Sequence, residues 1–210
     1  MANNFFTKSG NPSTGTLAAS SLMRAEFLSI EQGFDKLPTL TSNGYKPIRV
    51  NSGGTALEAA APQIAFFREE QTSGTNAATL TSATWNNRVL NTTVVNAITG
   101  CSLSSNTIIL PAGTYHIRAL SPIHASSGNN GYCIQRVYND SDSATIVQGI
   151  TVGVESSELD VIEAQTIFTL AAQKTISIDT YIDNGGCDGG QAFALGYTEI
   201  YTEVFIERLY

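Results

Sequence analysis

Charged side chains are scarce: Asp, Glu, Lys and Arg make up 14% of the 210 residues, against about 25% in an ordinary soluble domain. Only four of them are lysines, and the formal net charge is −7. Nucleic acid is therefore not an expected partner, because phosphate binding needs clustered Lys and Arg. Anionic membrane surfaces are disfavoured for the same reason. No run approaches the ~20 apolar residues of a membrane span, so no membrane insertion is expected. The opening Met1-Ala2-Asn3-Asn4-Phe5 lacks the basic and apolar regions of a secretory signal, which points to a soluble chain made in a cytosol. Cysteine is sparse too. Cys101, Cys133 and Cys187 are separated by 32 and 54 positions, with no CxxC pair and only His116 and His124 as further soft ligands, so zinc patterns are absent. Reduced thiols are the expectation, although one disulfide stays open if the protein meets an oxidising exterior; the sequence does not choose the pair. The Gly-x-Ser-x-Gly elbow, the P-loop and His-Glu-x-x-His are also missing. Neither enzymatic activity nor a cofactor or metal is expected.

What is present is unevenly distributed. Residues 1–61 carry five basic and four acidic side chains, whereas 62–210 carry six and fourteen. Four segments follow from composition and pattern: an arm over 1–15, a helical stalk over 16–38, a small β element and hinge over 39–62, and a β domain over 63–210. The arm holds Phe5, Phe6 and Lys8, an apolar pair and a cation suited to docking on another protein. In the stalk, Met23, Phe27, Ile30, Phe34 and Leu37 recur at steps of four and three, the spacing of a heptad seam. Thr14 or Thr16 is placed to cap the helix and Pro38 to end it. About 22 residues give a helix of about 33 Å. Such a short helix, with Gly33 inside it, is marginal alone. It either lies on its own domain or forms a parallel homo-oligomeric seam, and the latter is preferred because no large apolar face follows to receive it.

Asn43-Gly44 and Gly53-Gly54 are turn signals around a short extended run, Tyr45 to Val50, which predicts a hairpin-like element. Its Asn-Gly turn, Arg49-Val50-Asn51 strand and Gly54-Thr55-Ala56-Leu57-Glu58 resemble an element of tail-fibre and related virion proteins of tailed bacteriophages. That resemblance covers under twenty residues. It implies a virion protein, assembled in the host cytoplasm, with the arm of 1–15 as its anchor to other virion proteins. Pro62 marks a hinge, because it biases Ala61 to extended geometry.

Beyond the hinge the period changes to two. Thr114, His116 and Arg118 alternate with Tyr115, Ile117 and Ala119; Ile176, Ile178 and Thr180 alternate with Ser177, Asp179 and Tyr181. About nine strands are predicted, near 63–68, 86–97, 106–110, 113–120, 131–138, 144–150, 161–170, 174–182 and 192–209. Half-buried antiparallel strands in that number make a sandwich or jelly roll. Leu110-Pro111-Ala112-Gly113-Thr114-Tyr115-His116-Ile117, Ala172-Gln173-Lys174-Thr175-Ile176-Ser177-Ile178 and the closing Phe205-Ile206-Glu207-Arg208-Leu209-Tyr210 resemble the jelly roll of tumour necrosis factor and the globular heads of the first complement component. Gln173-Lys174 departs from the Gly-Asp common there. The resemblance implies a compact homotrimer with both ends of the domain at its base.

If successive strands reverse, the loops 121–131, 151–160 and 183–191 share the end opposite that base. Long loops on a rigid scaffold are where binding usually resides. They contain Glu155, Glu158, Asp160, Asp183 and Asp188 without Lys or Arg, together with His124, Asn129, Asn130, Asn184 and the adjacent Tyr132. This chemistry suits a hydroxyl-rich host glycan or a basic protein patch. The plainer reading is a set of acidic loops that only keep the surface solvated. Asp183, Asn184 and Asp188 beside glycines are also hard-cation chemistry, but the EF-hand pattern is missing. The expected function is a trimeric bacteriophage tail fibre binding a host receptor through these loops. The alternative is a head fibre, collar or decoration protein with a purely structural role.

Overall fold

The computed structural model describes residues 20–38, 43, 44, 46–51, 53–126, 128 and 130–209. Phe5, Phe6 and Lys8, like Thr14 and Thr16, lie outside the described residues. The chain divides into two compact units, Met1–Pro62 and Gln63–Tyr210.

The first unit holds helix α1 (Ser20–Phe34) and strands β1 (Ile48–Val50) and β2 (Leu57–Ala59). The helix stops at Phe34, so Leu37, expected within it, lies in the turn that follows. Pro38 drives the residue before it away from helical geometry. The chain tightens first, with Lys36 N bonding to Gly33 O and Leu37 N to Phe34 O. Met23, Phe27, Ile30, Phe34 and Leu37 are all exposed in the single chain, Phe27 by 63% and Phe34 by 67%. β1 and β2 pair antiparallel, Ile48 opposite Ala59 and Val50 opposite Leu57. Asn51 closes this hairpin because its Oδ1 accepts from Thr55 N at 2.9 Å and Ala56 N at 3.2 Å, as a turn asparagine can.

The second unit contains β3 (Ile64–Gln71), β4 (Thr84–Asn87), β5 (Thr92–Asn96), β6 (Ser102–Ser104), β7 (Thr107–Leu110), β8 (Gly113–Ala125), β9 (Gly131–Asn139) and β10 (Ala144–Gln148). After these come β11 (Val152–Val154), β12 (Leu159–Leu170), β13 (Lys174–Ile182), β14 (Cys187–Asp188) and β15 (Glu199–Arg208). One sheet runs β10-β9-β13-β7-β6, with β11 on β9 and β4 on β13; the other runs β12-β8-β15-β3-β5, with β14 on β8. The long strands β8, β9, β12, β13 and β15 alternate between the sheets, and their pairings are antiparallel. This is a jelly-roll sandwich.

Two expected strands are organised otherwise. The run 86–97 is two strands in different sheets, β4 and β5, because the chain crosses the sandwich at Arg88 and Leu90, both buried. The run 192–209 becomes a strand only at Glu199. Before it, positive φ at Ala194 and Gly196 breaks the extended geometry. Ala192 N bonds to Asn76 Oδ1, Gly196 N to Ser73 Oγ and Ala194 N to Glu199 Oε1. Phe193, Leu195 and Tyr197 therefore stand out from a braced loop, exposed by 65% to 79%.

The core between the sheets has two apolar clusters. The larger includes Phe67, Ile108, Tyr115, Ile117, Val137, Ile178 and Ile206. The smaller contains Leu80, Ile123, Ala125, Cys133, Val154, Ile162, Ile182 and Cys187. Near them the buried polar residues Ser121, Gln135, Thr180 and Thr202 interrupt the strand faces that line the core, and Arg88 is buried in the crossing between β4 and β5. Arg88 donates from Nε to Thr202 Oγ1 at 2.8 Å and from Nη2 to Gly189 O at 2.7 Å. Burial lowers its pKa to about 10, opposed by the charges of Glu69 and Asp188. The sheets also close tightly at Gly149, where a Cβ would lie 1.9 Å from Glu163 O. Only glycine permits that approach.

Both ends of the unit lie together. Arg208 N bonds to Gln63 O and Leu209 N to Thr114 O, beside the start of β8. The joins after β9 and β12 are at this same base, since Leu170 pairs with Gly113 and Lys174 with Leu110. Strand β8 has 13 residues, and at ~3.3 Å per residue it carries the chain about 40 Å to the opposite end.

Candidate functional site

At that opposite end three connections meet: 126–130 after β8, 155–158 before β12, and 183–186 after β13. Their contacts are polar and specific. Ser126 donates from both N and Oγ to Gly186 O, at 2.8 and 2.7 Å. Ser157 N reaches Ala125 O, and Gly128 N reaches Ser156 Oγ at 2.7 Å. Asn130 joins the other two loops, accepting from Ser156 N on Oδ1 at 2.8 Å and from Asn184 Nδ2 on its carbonyl at 3.0 Å. Asp183 Oδ1 accepts from Tyr132 N at 2.7 Å. The three connections lie away from the base, as strand parity predicts, but they are shorter than the expected loops 121–131, 151–160 and 183–191, because β8 continues to Ala125 and β11 and β14 form inside the other two.

These loops border a cavity of about 280 Å³ lined by Asn130, Tyr132, Glu155, Asp183 and Asn184, together with Gly131, Gly153 and Val154. Five residues selected from sequence thus line one cleft. Tyr132 is there because the pleat of β9 turns Cys133 into the core and its predecessor outward, leaving the ring 65% exposed. Gly153 pairs with Tyr132 across β11 and β9. A side chain at Gly153 would begin 3.5 Å from the Tyr132 ring, so glycine leaves that part of the ring uncovered. The cleft combines an aromatic face, two amides and two carboxylates, with no Lys or Arg among its lining residues. That set offers stacking and dense hydrogen bonding to a polar ligand, at the small end of the usual range of ligand pockets.

The remaining selected residues lie elsewhere. His124 and Asp188 face each other across the β8–β14 pairing, with Nδ1 and Oδ2 3.4 Å apart, and Asp188 Oδ1 accepts from Gly190 N. Both are partly buried and outside the cleft lining. Glu158 Oε2 accepts from Glu155 N at 3.1 Å, which braces the loop that carries Glu155. Asp160 is exposed and accepts from Val161 N. Asn129 lies outside the described residues. Among the described residues, no group of three His, Cys, Asp or Glu side chains is placed to hold a metal ion; Asp183 and Asp188 are each engaged with different partners.

Gly131, Gly153 and Val154 were not selected from sequence, and nothing short of the β9–β11 pairing marks them as cleft residues. The same holds for a clasp on the outer face of that sheet. The Arg136 guanidinium lies 4.1 Å from the Trp85 ring centroid and 3.9 Å from that of Tyr138. It donates from Nε and Nη2 to Asp179 Oδ2 at 3.0 and 2.9 Å. Cation, anion and aromatic faces satisfy one another, so the clasp braces three strands.

No protein-family model matches the chain, and no curated protein sequence does. Solved structures do resemble it. Murine APRIL at pH 5.0 is 11% identical with a TM-score of 0.48, covering 70% of this chain and 99% of its own. The globular domain of zebrafish complement 1qA is 13% identical with a TM-score of 0.43, covering 70% and 97%. Eiger TNF from S. frugiperda is 9% identical with a TM-score of 0.47, covering 71% and 93%. These are likenesses of fold alone. The strand order in the two sheets is what assigns the jelly roll.

Proposed function

We propose that this chain is a homotrimeric bacteriophage tail fibre that binds a host-surface glycan in the cleft bordered by Asn130, Tyr132, Glu155, Asp183 and Asn184. One observation carries the reading: three loops from separate parts of the chain converge on one polar, aromatic-bordered cleft about 40 Å from the end where the domain begins and finishes. An adhesin needs its contact surface far from its tether. The heptad-spaced face of α1 supports trimerisation, because its apolar side chains are exposed in the single chain. A second and third copy of the same seam would cover them. The virion assignment rests on the resemblance of Asn43–Glu58 to the fibre element, here a closed hairpin, with residues 1–15 as anchor. Each cleft needs only weak affinity, about 1 mM or ~4 kcal/mol, because three copies raise avidity by about 10²–10⁴. Binding without catalysis is sufficient.

Purified protein should compete with phage for adsorption to host cells, and Tyr132→Ala should abolish the competition while leaving the trimer intact by light scattering. Absence of protection at saturating protein would reject the adhesin and leave the head-fibre, collar or decoration role.

A further inference from the structure

The sequence offers three thiols and no way to pair them; the fold does. Cys133 lies on β9 of one sheet and Cys187 on β14 of the other, and each is 1% exposed. Both belong to the smaller apolar cluster. The two side chains are close enough for each to influence the other's titration. The Cys187 sulfur is tucked against the start of β9, where a Cβ on Gly131 would lie 3.3 Å away. Cys101 belongs to the larger cluster, apart from the other two.

We infer that Cys133 and Cys187 are a cross-sheet disulfide site, closed when the protein meets a small-molecule disulfide oxidant. The chemistry balances by exchange. One protein thiolate attacks the oxidant's disulfide and expels one small thiol, forming a mixed disulfide. The second protein thiolate attacks that mixed disulfide and expels the second small thiol. Two protein S–H bonds are replaced by one S–S bond, and the oxidant is reduced to two thiols. Closing the bond needs an approach of the two sulfurs to a covalent length of ~2.05 Å. Strand β14 supplies it, since it is only two residues long and follows Gly185 and Gly186. The bond would pin the 183–186 loop to β9 beside the cleft.

Burial pushes the Cys133 thiol up to about 12 and raises that of Cys187 as well. Thiolate is therefore scarce at neutral pH, and oxidation of the folded protein is slow. The test is to unfold the full chain, refold it in a mixture of reduced and oxidised glutathione, alkylate, and map the linked peptides by mass. The expected product joins Cys133 to Cys187, leaves Cys101 alkylated and melts about 10 °C higher than the reduced form. Cys101→Ser should cross-link like the parent, and Cys133→Ser should form no internal cross-link. A product that links Cys101, retains glutathione on Cys133 or Cys187, or leaves both thiols alkylated would overturn the assignment. None of these outcomes depends on glycan binding.

Discussion

The two apolar clusters of the β unit differ in size and in what surrounds them. The larger one packs Phe67, Ile117, Ile178 and Ile206 between the longest ladders. The smaller one packs Ile123, Val154, Ile162 and two cysteines under loops that are joined mainly by side-chain hydrogen bonds. Burying a Phe or Ile side chain contributes about 1.5–3 kcal/mol, whereas a typical hydrogen bond contributes about 1 kcal/mol net. Stability thus resides in the larger cluster, and the loop end is free to carry a polar cleft.

That contrast can be broken in several places. Phe67→Ala, at a fully buried position of the larger cluster, should cost about 4 kcal/mol, read from the urea midpoint. Arg88→Ala should cost about 3 kcal/mol, because it strips Thr202 and Gly189 of a buried donor and leaves Glu69 without its compensating charge. Arg88→Met, which restores volume but neither the donors nor the charge, should lose nearly as much; a large recovery would mean that the packed volume, not the hydrogen bonds, matters. Ile162→Val, in the smaller cluster, should cost about 1 kcal/mol and speed hydrogen exchange in β11, β12 and β14 more than in β7 or β13. Uniform acceleration would show that both clusters open as one unit.

The smallest effect concerns pH. Burial raises the Glu69 carboxyl above its ordinary 4.5, against the opposing Gln71 hydrogen bond and the Arg88 charge. A carboxyl raised in the folded state binds more protons there than when unfolded, so its contribution to stability falls as pH climbs above 4.5. Glu69→Gln should therefore gain on the parent protein between pH 4.5 and neutrality, and the two should converge below it. A constant difference across that range would assign the effect to packing.

How much of this was legible depended on the range of the interactions. The alternation correctly separated Tyr115 and Ile117 from His116 and Arg118 in β8, because a strand's pleat is a local property, whereas in β13 the expected polar face, Ser177 and Asp179, is buried along with Ile176 and Ile178. The turn at Gly53-Gly54 was legible for the same local reason, although Asn51, read as part of the strand, is the residue that closes it. The same period misled at Phe193, Leu195 and Tyr197, where bonds from Ser73 and Asn76, more than a hundred residues away, hold a loop. Arg88 gave no sign of turning inward, since its partners Thr202 and Gly189 arrive from the other end of the chain. In the cleft, strand parity and side-chain chemistry pointed to Asn130, Tyr132, Glu155, Asp183 and Asn184, while the loop lengths were overread. His124 and Asp188 carried the same chemistry but were drawn into the β8–β14 pairing.

Composition and periodicity by themselves determined the β class of residues 63–210, the heptad face of the helix, the hairpin and the acidic character of the long loops. Each of these follows from neighbours a few positions apart. Tertiary structure decided which loop residues share a cleft, which strand crosses the sandwich, and which two of three thiols meet. Those outcomes depend on register between strands distant in sequence, where sliding by one residue exchanges the inner and outer faces.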